Sequence, residues 1–303
     1  MKLSPQWIRE FVDLPVDDRR LAEDLTSIGI AVEGVSGEGA NTVFEMEIGT
    51  NRPDAMNHYG VAREAAALYK VPLKTIETSA AKAAQDSAGH NAALKRSSTQ
   101  NQNSGTAKAV PSQRSTASDS SFAIEIDDSE GCARYTAQMI RGVKIKTSPE
   151  RIASRLALVD QRPINNAADA SNYTLWEMGH PTHAFDLDLL QGGKIIVRRA
   201  RQGETLNTLD GIDRKLSPGD LIIADANRPV ALAGVMGGFE TMITEKTKNV
   251  LIESAWFDPV AVRKTAKRHG LHTDASHRFE RGADYAATPL ACALVAQRIV
   301  DSG

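Results

Sequence analysis

The stretch VLIESAWF, residues 250–257, is an apolar run that carries one carboxylate, Glu253. Its length and composition predict a strand. Side chains alternate across a strand, so Val250, Ile252 and Ser254 share one face and Leu251, Glu253 and Ala255 the other. Glu253 therefore sits among apolar neighbours. A carboxylate facing a core is costly unless it is paired or faces a ligand, and an ion pair with a nearby arginine is one way to satisfy it. Downstream, Asp258-Pro259 caps a helix that runs to His269 and is ended by Gly270. A last helix starts near Pro289, with Leu290, Leu294, Val295 and Ile299 facing inward.

Upstream the strands multiply. PVALAGVMGG (229–238) pairs with LIIAD (221–225) across Ala226-Asn227-Arg228, and TLDGIDRKL holds the Asp210-Gly211 pair of a tight hairpin. KIIVRRA (194–200), FAIEI from Phe122 and ARYTAQMIRGVKI are further strands, and Ser148-Pro149-Glu150 caps a helix carrying Ile152, Leu156 and Val159. Two segments, QRPINNAADASNY (161–173) and GHPTHAFDLD (179–188), show neither a helical nor a strand period and read as polar loops. Between Thr78 and Ser121 the composition collapses to Ala, Ser, Gln, Asn, Thr and Lys, with Leu94 and Val110 as the large apolar residues. Such a segment predicts a flexible linker, with alanine-rich helix possible over 79–87.

Residues 1–77 form a unit of their own. Ser4-Pro5 starts a helix with Trp7, Ile8, Phe11 and Val12 on its stripe, and Asp17-Asp18 open a second, stopped at Gly29. Ile30–Val35 and Val43–Ile48 read as strands, NRPD (51–54) as a turn and 56–69 as a helix. The fold class expected is α+β, a small N-terminal α+β domain followed by a larger mixed α/β domain. The 303 residues suffice for two domains, and 41% hydrophobic with 24% charged residues is a globular profile. A formal charge of −2 attracts no polyanion globally, so nucleic-acid contact needs a local basic patch. Cys132 and Cys292 read as reduced thiols. With no signal-peptide run and no apolar stretch long enough to span a bilayer, the expected location is cytoplasmic.

Several constellations carry chemistry. HGLHTDASHRFERG (269–282) holds His269, His272 and His277, spaced so that a metal site can be imagined. The HxxH pair straddles a helix stop without HExxH or paired CxxC, and we expect no metal there. His269 alternatively serves as a cation at a helix C-terminus. Arg263, Lys264, Lys267 and Arg268 make a basic helix face, either a solvated surface or a phosphate-steering ridge. The glycines of ALAGVMGG match no phosphate-loop pattern and suggest close backbone approach to a ligand. His183 in the second polar loop is a candidate hydrogen-bonding or general-base group.

MKLSPQWIREFVDL, EIGTNRPD, RPINNAADASNY, GHPTHAFDLD, TLDGIDRKL, VALAGVMGG, LIESAWFDPVAVRKTAKRHGL and TDASHRFERG occur in this order. Together they resemble the N-terminal part of the bacterial phenylalanyl-tRNA synthetase β subunit, over essentially all of 1–77 and 122–303. The resemblance implies that 122–303 is an editing domain, hydrolysing tyrosine mistakenly esterified to the phenylalanine tRNA, while the whole enzyme ligates phenylalanine to that tRNA with ATP. It places Glu253 as the group that selects tyrosine, with Gly234, Thr273, Ala275, Asn165 and Asn172 lining the pocket. His183 and Arg162 are the expected catalytic or orienting groups, and Arg263, Lys264, Lys267 and Arg268 the tRNA contacts. No cofactor is expected in this region, ATP and Mg belonging to the complete synthetase. Expected partners are the phenylalanine tRNA and, through domains outside these residues, the synthetase α subunit, with no membrane. Two departures stand out: residues 1–77 leave no room for the OB-type tRNA-binding domain found in many members, and the sequence stops at Gly303, ahead of the later domains of the subunit; the insert at 78–121 is a further oddity without a functional account. A non-catalytic scaffold or tRNA-positioning module is the alternative.

Overall fold

The computed structural model describes residues 1–77 and 122–303, so the linker expected at 78–121 lies outside the described residues. The N-terminal unit comprises β1 (Lys2–Leu3), α1 (Pro5–Ile8), α2 (Asp18–Ser27), β2 (Ala31–Ser36), β3 (Val43–Glu47) and α3 (His58–Tyr69). Ser4 accepts from the Trp7 amide ahead of Pro5, and Asp17 accepts from the Arg20 amide, as their positions predict. Gly29 takes φ +90° just past α2 and lets the chain reverse into β2. The strands form an antiparallel sheet ordered β1-β3-β2.

The second region adds β4 (Ala123–Ile126), β5 (Cys132–Arg141), α4 (Glu150–Leu158), α5 (Asn166–Met178), β6 (Thr182–Asp186) and β7 (Lys194–Arg199). There follow β8 (Thr205–Asn207), β9 (Asp213–Lys215), β10 (Leu221–Ala224), β11 (Pro229–Leu232) and β12 (Met236–Gly237). Last come β13 (Asn249–Phe257), α6 (Pro259–Arg268), α7 (Asp274–Phe279) and α8 (Thr288–Ser302). A five-stranded sheet runs β12-β11-β10-β7-β4, parallel only between β4 and β7. A three-stranded antiparallel sheet runs β5-β13-β6, and β8 and β9 form the hairpin with Asp210 and Gly211 in its turn. The fold is α+β.

Strand β13 divides its side chains as the alternation requires. Leu251, Ala255 and Phe257 join Ile195, Val197, Ile222 and Val230 in a core between the two sheets. Val250 and Ile252 face the other way and pack with Ala167, Ala170, Val295 and Ile299 of α5 and α8.

Two expectations are corrected. Residues 166–178 are a helix, not a loop, begun by Asn165, whose side chain accepts from the Ala167 and Ala168 amides. Not one of its residues is exposed, so it shows no amphipathic stripe. Several of its polar groups find partners: Asn166 bonds Lys144, Lys146 and Ser302, Asp169 accepts from Ser148 and Ile164, and Glu177 pairs with Arg298, while the Ser171 hydroxyl and Trp176 Nε1 are buried without a partner among the described residues. Residues 182–186 are likewise a strand, β6, paired to β13. A smaller correction concerns Ser148, which bonds Asp169 rather than capping α4.

Candidate functional site

Glu253 lies at the centre of β13, opposite Ala137 of β5 and His183 of β6. It is 7% exposed. The Tyr135 hydroxyl donates to Glu253 Oε2 at 2.8 Å, so the partner of this buried carboxylate is a phenol, not an arginine. Burial pushes the Glu253 carboxyl up to about 7, with the Tyr135 hydrogen bond opposing. Burial, followed by the proximity of Glu253, holds the Tyr135 hydroxyl well above the usual phenol range. No cation contributes to the Glu253 shift among the described residues.

His183 stands edge-on to Phe185, ring centroids 4.5 Å apart, and its Nε2 is buried with no hydrogen-bond partner among the described residues. Burial lowers its pKa to about 4, which keeps the imidazole neutral at pH 7. Across from it passes β12: a methyl group added at Gly237 would clash with His183 Cε1 and meet Nε2 at 2.6 Å. This close backbone approach explains a glycine at 237. Gly234 lies in the turn between β11 and β12 at φ +68°, against Phe257 and Phe279.

Thr273 begins α7 with a capping box in which its hydroxyl accepts from the Ser276 amide. The same hydroxyl donates to the Val235 carbonyl at 2.8 Å, joining the TDAS segment to the glycine-rich turn. Ala275 packs on the core that Phe257 and Phe279 occupy. The structure thus brings Gly234, Thr273 and Ala275 to the same core as the face of β13 that carries Glu253, while His183 stands opposite Glu253 in the strand register.

The remaining expected residues lie differently. Asn165 spends its side-chain oxygen on the α5 cap. Asn172 is partly buried on α5, whose Ala167 and Ala170 pack on the side of β13 opposite Glu253. Arg162 is exposed ahead of that helix. Arg263, Lys264 and Lys267 are exposed on α6, whereas Arg268 forms an ion pair with the buried Asp220. His269 also bonds Asp220, at 2.9 Å, which removes it from the other histidines.

His277 Nδ1 and His272 Nε2 are 3.2 Å apart, and Glu280 completes a group whose ligand atoms lie within 4.8 Å of one another. Glu280 is engaged by Arg281 at 2.6 Å, and both Arg281 and Arg278 bear on His277. Two guanidinium groups oppose a cation there. Beside this group a cleft of about 310 Å³ opens between Met1, Met56, Trp176, Thr273 and Asp274. It shares Thr273 with the Glu253 region, but its lining includes neither Glu253 nor His183.

Tyr135 was not singled out by sequence reasoning. Its place in an alternating strand was visible, but the register that sets it diagonally from Glu253 is not written in either strand alone.

The B3/4 domain family matches residues 131–302, more than half of the chain. The chain belongs to the B3/4 domain family. Residues of the B3/4 region include every group of the Glu253 site. Over 244 residues, 80% of this chain, it is 45% identical to the phenylalanine–tRNA ligase β subunit of Anaeromyxobacter dehalogenans, covering 27% of that protein. Over 299 residues, 99% of this chain, it is 37% identical to the β subunit of Moorella thermoacetica, covering 32% of it. The chain therefore spans about a third or less of the relatives it matches. An N-terminal fragment of the phenylalanyl-tRNA synthetase β subunit from Pyrococcus horikoshii covers 89% of this chain, and the match covers 74% of that fragment, at 14% identity and a TM-score of 0.39. No helix among the described residues is long and apolar enough to cross a membrane.

Proposed function

We propose that this chain is the editing portion of a phenylalanyl-tRNA synthetase β subunit, hydrolysing tyrosine mis-esterified to the phenylalanine tRNA. The observation that carries the reading is Glu253: a buried carboxylate, with no cation beside it among the described residues, whose hydrogen-bond partner is already a phenol. Tyrosine differs from phenylalanine by one hydroxyl, and an apolar pocket rejects such an isostere only by about 10²-fold. A second site inverts the problem by rewarding that hydroxyl. Glu253 accepts from the substrate phenol, whereas phenylalanine leaves the acceptor without a second donor.

The ester of a ribose hydroxyl is intrinsically reactive, so holding water and carbonyl in place supplies much of the rate. The neutral His183 ring, opposite Glu253 in strand register, is a candidate to orient that water or the ester, and exposed Arg162 is a candidate to steer the terminal phosphates. Arg263, Lys264 and Lys267 offer an outward basic face for the tRNA. Aminoacylation with ATP and Mg, and pairing with an α subunit, belong in this reading to the complete cytoplasmic enzyme.

The test is deacylation of phenylalanine tRNA charged with tyrosine. The expected outcome is hydrolysis by the wild-type chain and loss of at least about tenfold in Glu253→Gln, which keeps the shape of the side chain but not its strength as an acceptor. Wild-type turnover no faster than spontaneous hydrolysis would favour a scaffold or tRNA-positioning module instead.

A further inference from the structure

We propose that Tyr135 is a positioning residue for this phenol subsite: its hydroxyl occupies one oxygen of Glu253 and so presents the other to the substrate. The proposal rests on the deacylation reading. Its geometric basis is independent of the sequence resemblance, which assigned no role to Tyr135.

A carboxylate offers about four acceptor sites over two oxygens and rotates about its last bond unless something holds it. Tyr135 holds Oε2 at 2.8 Å from a ring packed on the inter-sheet core. Directly opposite Glu253 on β5, the strand of Tyr135, stands Ala137, whose methyl group offers no hydrogen bond to the carboxylate. On the other side stands His183, with a ring that faces Gly237 and makes no hydrogen bond to Glu253 among the described residues. Tyr135 is thus the hydrogen-bond partner of Glu253 among the described residues, and Oε1 is the oxygen left for an incoming donor. A phenol held between the strands also shows that this carboxylate accommodates a phenol at ordinary hydrogen-bonding distance.

The same contact bears on the charge of the site, opposing the larger effect of burial. The titratable groups facing the pair are Cys132 on β5 and His183 on β6, with Cys292 of α8 bearing on Tyr135. Burial pushes both thiols up to about 12 and His183 down to about 4, so all three are neutral at pH 7. Glu253, at about 7, is the group whose charge changes there, and the Tyr135 hydrogen bond favours its ionised, accepting form.

The experiment measures kcat and KM for tyrosyl-ester hydrolysis on phenylalanine tRNA, on both sides of pH 7, using the full chain. Tyr135→Phe is expected to raise KM about tenfold while kcat stays within about twofold, and to move the acid limb of kcat/KM to higher pH. Tyr135→3-fluorotyrosine, a stronger donor, is expected to move that limb to lower pH. Should the phenylalanine variant melt early, the fluorotyrosine arm decides alone. Loss of activity in Glu253→Gln together with wild-type KM and pH profile in both Tyr135 variants overturns the positioning role and leaves deacylation standing. A Tyr135→Phe chain that hydrolyses faster than wild type overturns it too, because Tyr135 would then compete with substrate. A wild-type chain without turnover overturns the deacylation reading, and this proposal with it.

Discussion

Glu253, Tyr135 and His183 show how three ordinary side chains become chemically unusual through position. Each belongs to a strand of one small sheet, and each faces the core shared with the larger sheet. His58 illustrates the same principle used for stability. It is fully buried, stacked on Trp7 at 3.9 Å, accepts from the Ser4 amide at Nε2 and meets the Trp176 carbonyl through Nδ1. That pair of contacts requires the neutral tautomer with its proton on Nδ1. Burial lowers its pKa to about 3. Because the folded value lies below the unfolded one, the unfolded chain binds the extra proton between them. The stabilisation is complete above about pH 6.5 and drains away as pH falls toward about 3, at up to about 1.4 kcal/mol per unit. Urea midpoints for wild type and His58→Gln at pH 7 and pH 5 check this: the wild type should lose more stability on acidification than the variant. Equal losses would mean that His58 is not the group responsible.

Among the elements, α5 is the instructive case. Asn165 was expected to line a substrate pocket, yet its side-chain oxygen accepts from two amides at the start of this helix. Asn165→Ala is accordingly expected to cost about 1 kcal/mol by urea unfolding, while Asn165→Asp retains the cap and most of the stability. A substrate-binding role for Asn165 would instead show as a raised KM in the aspartate variant without loss of stability. The reason α5 was unreadable is physical. Periodicity reveals a helix only when one face is wet, and this helix has no wet face. Strand β13 was legible because each of its faces has its own apolar set, and the caps at Ser4, Asp17 and Asp258 were legible because their chemistry is local. The Glu253 position could be read from alternation. Its partner could not, since Tyr135 and Glu253 are 118 residues apart and meet only through strand register.

At the scale of the whole molecule, the N-terminal unit and the B3/4 region share a core. Trp7, Ile8, Val61 and Ala65 pack in one cluster with Leu156, Val159, Tyr173 and Trp176 of α4 and α5. Polar contacts cross the same boundary: Arg155 bonds Glu10, and buried Arg278 donates to the Met56 carbonyl at 3.1 Å. Unfolding should therefore be one event. Trp7→Ala is expected to destabilise by about 3–5 kcal/mol, with far-ultraviolet dichroism and tryptophan fluorescence changing together in urea; separate transitions would show that the two regions fold independently. The absence of any exposed residue on α5 has a further consequence for motion. Its Tyr173 and Trp176 are clamped by the N-terminal unit, and its Ala167 and Ala170 by the sheet that carries Glu253. Packing on both sides opposes hinge motion at this helix. Whatever docks on residues 1–77 consequently meets a platform at a fixed bearing from Glu253. In the proposed reaction, an acceptor arm guided from that platform would arrive with its orientation largely settled beforehand, sparing the site that entropic cost.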